Sequence, residues 1–514
     1  MKFTADQEKA FELIMSGMNV FVTGGGGVGK THLLRTVINA CRHKHKKVMV
    51  CAPTGSAAVL IKGATIHRAF DIPSGCTINE KTMKIMTRTT PSLYRADMVI
   101  IDEISMCRMD LFDAVANSLA KAEAKTGRRI QLVVFGDFLQ LPPVLTAQHG
   151  EKMLMDKYYG FDVGQAYAFQ AKSWRLFHFI PVIMHEVVRQ NDREFILNLE
   201  KARLGDKSCI DFFNKKSAFR QSLSAIYLTA YKEDAERINN EEMMKNLNTE
   251  VSYDMQIDGI VDKTDMIVPQ HLVLKKGCLV TTVVNHPDDA YVNGSIGTVV
   301  DFKDGEIVVD FAGHNVGVEP HEWDIYDYKA LDDGSIKKEC IGSYIQFPLR
   351  IAYASTIHKA QGATYDEVTL SPKCWGAGQL YVALSRIKSL NHMYLTRDIQ
   401  QSDLIADPTV LSFYQALEAE AAAATVTKAK GRPRNITGNP ETIRVPADIK
   451  DEIQDLIRQW NDLGGDRYNH QFAIASIDTA EKIKYLSQTR KFIGGNEMDI
   501  DFTELPEAIL HGKK

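Results

Sequence analysis

The stretch Gly24–Thr31 reads G-G-G-G-V-G-K-T and satisfies the pattern G-x-x-x-x-G-K-[ST] at every position. Before it, Asn19–Thr23 (N-V-F-V-T) reads as a short apolar strand. After it, His32–Ala40 carries Leu33, Leu34, Val37 and Ile38 at helical spacing. Strand, glycine loop and helix, in that order, form the context in which this pattern binds phosphates. Glycines let backbone N–H groups turn toward phosphate oxygens, and the helix N-terminus adds partial positive charge at the same point. The expected cradle is therefore Gly24, Gly25, Gly26, Gly27, Val28, Gly29, Lys30, Thr31 and His32. Lys30 is placed to reach β- and γ-phosphates, and the Thr31 hydroxyl to ligate Mg²⁺.

A chain of 514 residues has room for several domains with sizeable cores. Hydrophobic residues make up 45% and charged residues 25%, as in an ordinary globular chain, and the net charge of −4 supplies no overall basic field. Any polynucleotide site must then be a local groove. The eight cysteines have no C-x-x-C pair, which argues for reduced thiols in an intracellular, cytoplasmic protein rather than for disulfides or zinc. The N-terminus has no signal-peptide apolar core, and no apolar run approaches the roughly 18 residues of a membrane span.

Residues 1–18 read as an amphipathic helix with Thr4 as N-cap and Ala10, Phe11, Leu13 and Ile14 facing inward. Gln7, just ahead of the loop, carries an amide that matches an adenine edge. Lys46–Ala52 reads as a second buried strand and delivers Pro53-Thr54-Gly55-Ser56, with Thr65-Ile66-His67 following. Open parallel sheets hold ligands at such strand ends. Polar groups there suit a phosphodiester backbone, and helix capping is an equally good use of Thr54 or Ser56. Asp97–Ile101 is a third strand that presents Asp102 and Glu103 behind V-I-I, where one acid holds Mg²⁺ and the other polarises a water. Gln131–Phe135 is a fourth, leading through Gly136-Asp137 to Gln140, an uncharged γ-phosphate sensor, and to a stiffening Pro142-Pro143. Phe70–Arg95 is polar, basic and aperiodic, the composition of a protruding insertion.

The segment Ala168–Arg193 opens a second half; within it Ile183–Val188 reads as a strand, and Arg189 after it is a candidate arginine finger. Residues 194–250 read as mostly helical, with a strand near Ala225–Thr229. Leu272–Val284 contains strands, and alternating stretches over Gly297–Ile345 predict a small β-barrel insert. An alanine-rich helix ends near Ala419–Ala424, followed by the basic linker Lys428–Arg434. Beyond it, Thr442–Val445 alternates like a strand, and Asp448–Trp460 and Ala473–Leu486 have helical spacing.

Eight blocks, in this order, resemble superfamily 1 DNA helicases of the 5′→3′ subgroup (superfamily 1B), petite-integration-frequency type, with the RecD type next. They are F-T-A-D-Q, G-G-G-G-V-G-K-T, A-P-T-G-S-A-A with T-I-H, V-I-I-D-E-I-S-M, V-V-F-G-D-F-L-Q-L-P-P-V, V-V-R-Q-N-D, S-T-I-H-K-A-Q-G-A-T and Y-V-A-L-S-R. The similarity covers roughly residues 1–400. It implies an α/β fold with two RecA-like parallel-sheet motor domains, over 1–180 and 181–425. A small wedge would be inserted at about 70–95, an SH3-like β-barrel at about 297–345, and an α+β extension would follow over 426–514. By the same resemblance, Gln7 would read adenine, and Lys30 and Thr31 would hold phosphates and Mg²⁺. Asp102 and Glu103 would serve metal and water, and Gln140 would link the γ-phosphate to the DNA path. Arg189 and Arg386 would be arginine fingers, with Gly362 beside the nucleotide. Pro53, Thr54, Thr65, His67, Thr356, His358 and Lys359 would line a single-strand path.

The implied activity is ATP- and Mg²⁺-dependent 5′→3′ movement on single-stranded DNA with unwinding of forked duplex DNA, in replication, repair or recombination. A translocase that strips proteins and a nucleotide-switched DNA-binding regulator are the competing uses of the same parts. The helix Arg108–Arg129, ending K-T-G-R-R, matches the family signature only loosely, which bears on the subgroup. In the tail, E-T-I-R-V-P-A-D-I-K-D-E-I is similar to ribbon-helix-helix proteins and K-G-R-P-R to an AT-hook. DNA binding, docking of a replication or single-strand-binding protein, and a structural role all stay open for it.

Overall fold

A computed structural model describes residues 3–429, apart from 74, 146–149, 188–191, 218–224, 289 and 331–335, together with 442–446 and 497–501. The first lobe is a six-stranded parallel sheet. Its strands lie in the order Ala64–Thr65, Val48–Ala52, Met98–Ile101, Gln131–Phe135, Val20–Gly24 and Ile180–Met184. The central strands are buried on both faces, so they read as unbroken apolar runs rather than alternating ones. The second lobe is a four-stranded parallel sheet of Ala354–Thr356, Ile226–Thr229, Val368–Leu370 and Met393–Leu395.

The chain crosses between lobes at places other than the expected boundaries. The strand expected at Ile183–Val188 spans Ile180–Met184 and pairs along the whole of Val20–Gly24, so it completes the first sheet instead of opening the second. Pro181 suits that place, because a residue without an N–H is tolerated on an edge strand. The helix Pro408–Ala429 returns to the first lobe ahead of the expected division at 425, and it continues through the Lys428 expected in a linker. Val410 and Tyr414 join the first lobe's core beside Phe21, Phe138 and Trp174, and the Phe413 ring stacks on Phe169 at 4.2 Å. Val410, Phe413, Tyr414 and Leu417 form one helical stripe, and that lobe supplies the apolar surface to cover it.

The antiparallel region starts at Glu250, well before 297. Leu272, Leu274, Cys278 and Val280 share one core with Val299, Ile307 and Val309, so strands on both sides of that boundary form one unit. Its sheets have five, three and two strands. Among the described residues of 70–95 the regular structure is the short strand pair Ile78–Asn79 and Lys84–Ile85 and the 3-10 turn Leu93–Arg95. Thr77 ties it down by donating from its N–H and Oγ1 to buried Asp110 at 2.8 and 3.0 Å. In the tail, Thr442–Pro446 pairs antiparallel with Glu497–Asp501. The helices expected over 448–460 and 473–486 lie outside the described residues, as does K-G-R-P-R.

Candidate nucleotide site and polynucleotide groove

The phosphate loop leaves the strand Val20–Gly24 and enters the helix Lys30–His43 through backbone that only glycine adopts at ease. Gly24 has φ +144°, and a Cβ there would lie 2.4 Å from the Met184 carbonyl oxygen. Gly29 has φ +85°, and its Cβ would lie 2.5 Å from Gln7 Nε2. Lys30 Nζ donates to the Gly24 and Gly25 carbonyls at 2.6 and 2.9 Å, folding back over its own loop. Burial lowers the pKa of this ammonium, against the opposing pull of Asp137 and Glu103. From the second lobe, Tyr381 accepts from Gly26 N–H at 2.8 Å.

Gln7 closes a capping box with Thr4, and its Nε2 donates to the Val28 carbonyl at 3.1 Å. The amide expected to read adenine therefore also fixes the start of the loop. Gln7→Ala is expected to weaken ATP binding several-fold through loss of these bonds, each worth about 1 kcal/mol. Titration with a fluorescent ATP analogue checks this, and an unchanged affinity would remove Gln7 from the site. His32 is exposed, with its ring edge-on to Phe3, and does not line the cleft.

Glu103 sits in left-handed backbone at φ 51°, ψ 44°, a strained conformation for a residue with a Cβ. Its N–H donates to Asp102 Oδ1 at 2.9 Å. Burial and the adjoining Glu103 push the Asp102 carboxyl up to about 7. Burial also raises Glu103, with Lys30 and Arg386 opposing. From the second lobe, Gln361 Nε2 donates to Glu103 Oε2 at 3.3 Å. Gln361 was not singled out from the sequence, although it stands inside the S-T-I-H-K-A-Q-G block.

Gly26–Thr31, Glu103 and Gln140 of the first lobe face Gly362 and Arg386 of the second across a cleft of about 310 Å³. Arg386 is buried beside the loop, and a Cβ on Gly26 would lie 3.4 Å from its Nη2. Its guanidinium donates to Val382 O, Ser385 Oγ and Ala363 O, which aims it. The other expected finger, Arg189, lies outside the described residues.

Against this cleft lies a larger groove of about 720 Å³. Thr54 and Ser56 line it from the first lobe, and Thr356, His358 and Lys359 from the second. Glu103 and Gly362 line both spaces. Thr54 also caps the helix Gly55–Leu60, the use read as equally good from the sequence, while standing on the groove wall. Pro53, Thr65 and His67 do not line the groove. The Thr65 hydroxyl is committed to capping Arg68 N–H at 3.2 Å. His67 is largely buried, and burial together with nearby Arg108 lowers its pKa. The sequence reading missed Trp375, whose large ring is 60% exposed on the groove wall. Its Nε1 donates to Ala230 O at 3.2 Å, and its ring is near parallel to His358 at 6.2 Å. An aromatic just ahead of G-Q-L-Y-V-A-L-S-R was the available signal.

A phosphate loop on one parallel sheet, met across a cleft by an arginine from a second, defines a two-lobed P-loop NTPase. The family profile described as PIF1-like helicase matches residues 2–206. The ATP-dependent DNA helicase Pif1 of Bdellovibrio bacteriovorus is 32% identical over 435 residues, covering 81% of this chain and 93% of that relative. The chain belongs to the PIF1-like helicase family. The ATP-dependent DNA helicase PIF1 of Xenopus laevis is 32% identical over 449 residues, and the match covers 82% of this chain but 65% of that relative's length. The crystal structure of Bacteroides sp Pif1 in complex with ADP-AlF4 superposes with a TM-score of 0.70 at 30% identity, covering 82% of this chain and 98% of that one. That of Bacteroides Pif1 bound to ssDNA gives 0.56 at 30% identity over the same shares. Among the described residues no helix is long and apolar enough to cross a membrane.

Proposed function

We infer that this chain is an ATP-dependent DNA helicase that moves 5′→3′ on single-stranded DNA and opens forked duplexes. The observation that carries this is the shared seam. Lys30 and Arg386 come from different lobes into one cleft, and Glu103 and Gly362 form its common wall with the groove. The names and bound ligands of the relatives support the same assignment, and direction rests on the family likeness.

The loop amides of Gly26–Thr31 bind the β- and γ-phosphates, and Lys30 exchanges its two carbonyl acceptors for phosphate oxygens. Glu103 orients the attacking water and takes up its proton. Arg386 contributes positive charge that only a γ-phosphate can hold, so ATP closes the seam and hydrolysis releases it. Thr31 and Asp102 offer oxygen donors beside the Glu103 carboxylate, where burial raises both acids in spite of nearby Lys30, and this donor set fits Mg²⁺. The ion supplies charge neutralisation at the phosphates when bound. Opening and closing of the lobes moves Thr54 relative to Thr356, His358 and Lys359, and this shifts the grip along the strand. The insertion within 70–95 is the element that separates the duplex. The eight free thiols suit a reducing intracellular setting.

Trp375 offers a platform for a base, a contact that tolerates every sequence. Trp375→Ala is expected to weaken single-stranded DNA binding by about 1–3 kcal/mol while leaving DNA-free ATP hydrolysis unchanged. Fluorescence anisotropy with a labelled oligonucleotide measures the first and a phosphate-release assay the second. Unchanged DNA affinity would take Trp375 out of the path. Hydrolysis unaffected by single-stranded DNA in the wild-type chain would contradict the motor assignment.

A further inference from the structure

Asp137 is fully buried just past the strand Gln131–Phe135. Its carboxylate accepts from Arg203 Nε at 3.0 Å, Arg203 Nη2 at 2.9 Å and the Tyr414 hydroxyl at 3.1 Å. It also accepts from Leu139 N–H at 3.2 Å and Gln140 Nε2 at 3.4 Å. Arg203 ends the helix Arg193–Arg203, whose Leu199 and Ala202 belong to the second lobe's core. Tyr414 comes from the helix that returns to the first lobe and also bonds Thr23 Oγ1 at 2.5 Å. One carboxylate thus joins the second lobe to the first sheet and to the loop that presents Gln140.

The same group borders the phosphate loop. A Cβ on Gly25 would lie 3.7 Å from Arg203 Cδ, and Lys30 donates to the carbonyl of that glycine. Asp137 and Lys30 act on each other electrostatically. Burial alone would raise Asp137, but the charge and hydrogen bonds of Arg203 hold it below the usual carboxylate range. A buried carboxylate deprived of Arg203 would need another cation, and Lys30 is at hand.

We propose that Arg203 is a positioning residue for ATP turnover: it holds the Asp137 carboxylate, keeps Lys30 free for the phosphates, and sets the second lobe against the loop that carries Gln140. This rests on Lys30 and Gln140 serving hydrolysis. Arg203 itself does not line the nucleotide cleft.

The test compares Arg203→Met, Asp137→Asn and the double variant in the full chain. Readouts are KM and kcat of single-strand-stimulated ATP hydrolysis, Kd for a fluorescent ATP analogue, and the urea midpoint. Arg203→Met is expected to lower kcat/KM on the order of 10²-fold, the scale of a small misplacement in an active site. Its Kd for the analogue should rise with it. Adding Asp137→Asn should restore a large part of that affinity, because no carboxylate remains to capture Lys30, while the urea midpoint stays below wild type. A purely structural role predicts the same lowered midpoint but no rescue of Kd in the double variant. Wild-type-like Kd in Arg203→Met, or a double variant no tighter than the single, would overturn the proposal. If Arg203→Met does not fold, Arg203→Lys with and without Asp137→Asn gives the same comparison, and absence of rescue there overturns it equally. A wild-type chain that binds the analogue but turns over no ATP would contradict the hydrolysis assignment, while the Kd series still decides the role of Arg203.

Discussion

Lys30→Ala is expected to lower ATP hydrolysis by about 10³-fold or more and to leave single-stranded DNA binding near wild type. Removing one preorganised donor from a developing anion costs about 10²–10³ in kcat, and a full positive charge in a buried site is worth more than a neutral donor. Lys30 is such a charge, lining the cleft within electrostatic reach of Asp137 and Glu103. Its ammonium already bonds the Gly24 and Gly25 carbonyls, so its removal also frees the loop's own backbone acceptors. The groove is a separate space, and Thr54, Thr356, His358, Lys359 and Trp375 line it without Lys30. Phosphate release and oligonucleotide anisotropy on the same preparation test both halves. Residual turnover within tenfold of wild type would remove Lys30 from the phosphate site. Loss of DNA binding along with hydrolysis would mean that the two spaces are not separable.

Arg386→Ala is expected to slow hydrolysis on the order of 10³-fold, the lower end of what an arginine finger contributes. Arg386 is buried at the end of the helix Gln379–Leu384 and reaches the first lobe beside Gly26. Its bonds to Val382 O, Ser385 Oγ and Ala363 O fix the direction of the fork. Arg386→Lys keeps the charge but loses the planar fork, so it should recover little of the rate. Those same bonds support the local fold, and a urea midpoint measured on each variant separates instability from lost chemistry. An ordinary rate in folded Arg386→Ala would show that the seam closes without it.

Much of the site was legible because its parts are local. The glycine loop, the acid pair behind V-I-I, and Gln140 behind V-V-F each lie within a few residues of the strand that delivers them. Arg386 required a resemblance, since nothing within Y-V-A-L-S-R says that it faces a loop more than 350 residues earlier. Thr65 and His67 were placed on the groove because they follow a strand, yet one became a cap and the other, partly buried, does not line the groove. Asp137 and Arg203 were passed over for a similar reason. Each alone is an ordinary charged residue, and only the packed lobes make them a buried pair. The lobe boundaries were misjudged where long-range pairing decided them. Ile180–Met184 could have begun a second sheet until it paired with Val20–Gly24, and the stripe Val410, Phe413, Tyr414 and Leu417 did not announce which lobe it would cover.

The central claim is that nucleotide closure across the seam drives movement along a strand in the neighbouring groove. Its most direct measurement is ATP-dependent strand separation of partial duplexes carrying a 5′ or a 3′ single-stranded overhang. The expected result is opening of the 5′-overhang substrate with ATP, none with a non-hydrolysable analogue, and little opening of the 3′-overhang substrate. Failure to open either substrate, from a chain that binds both DNA and ATP, would contradict it.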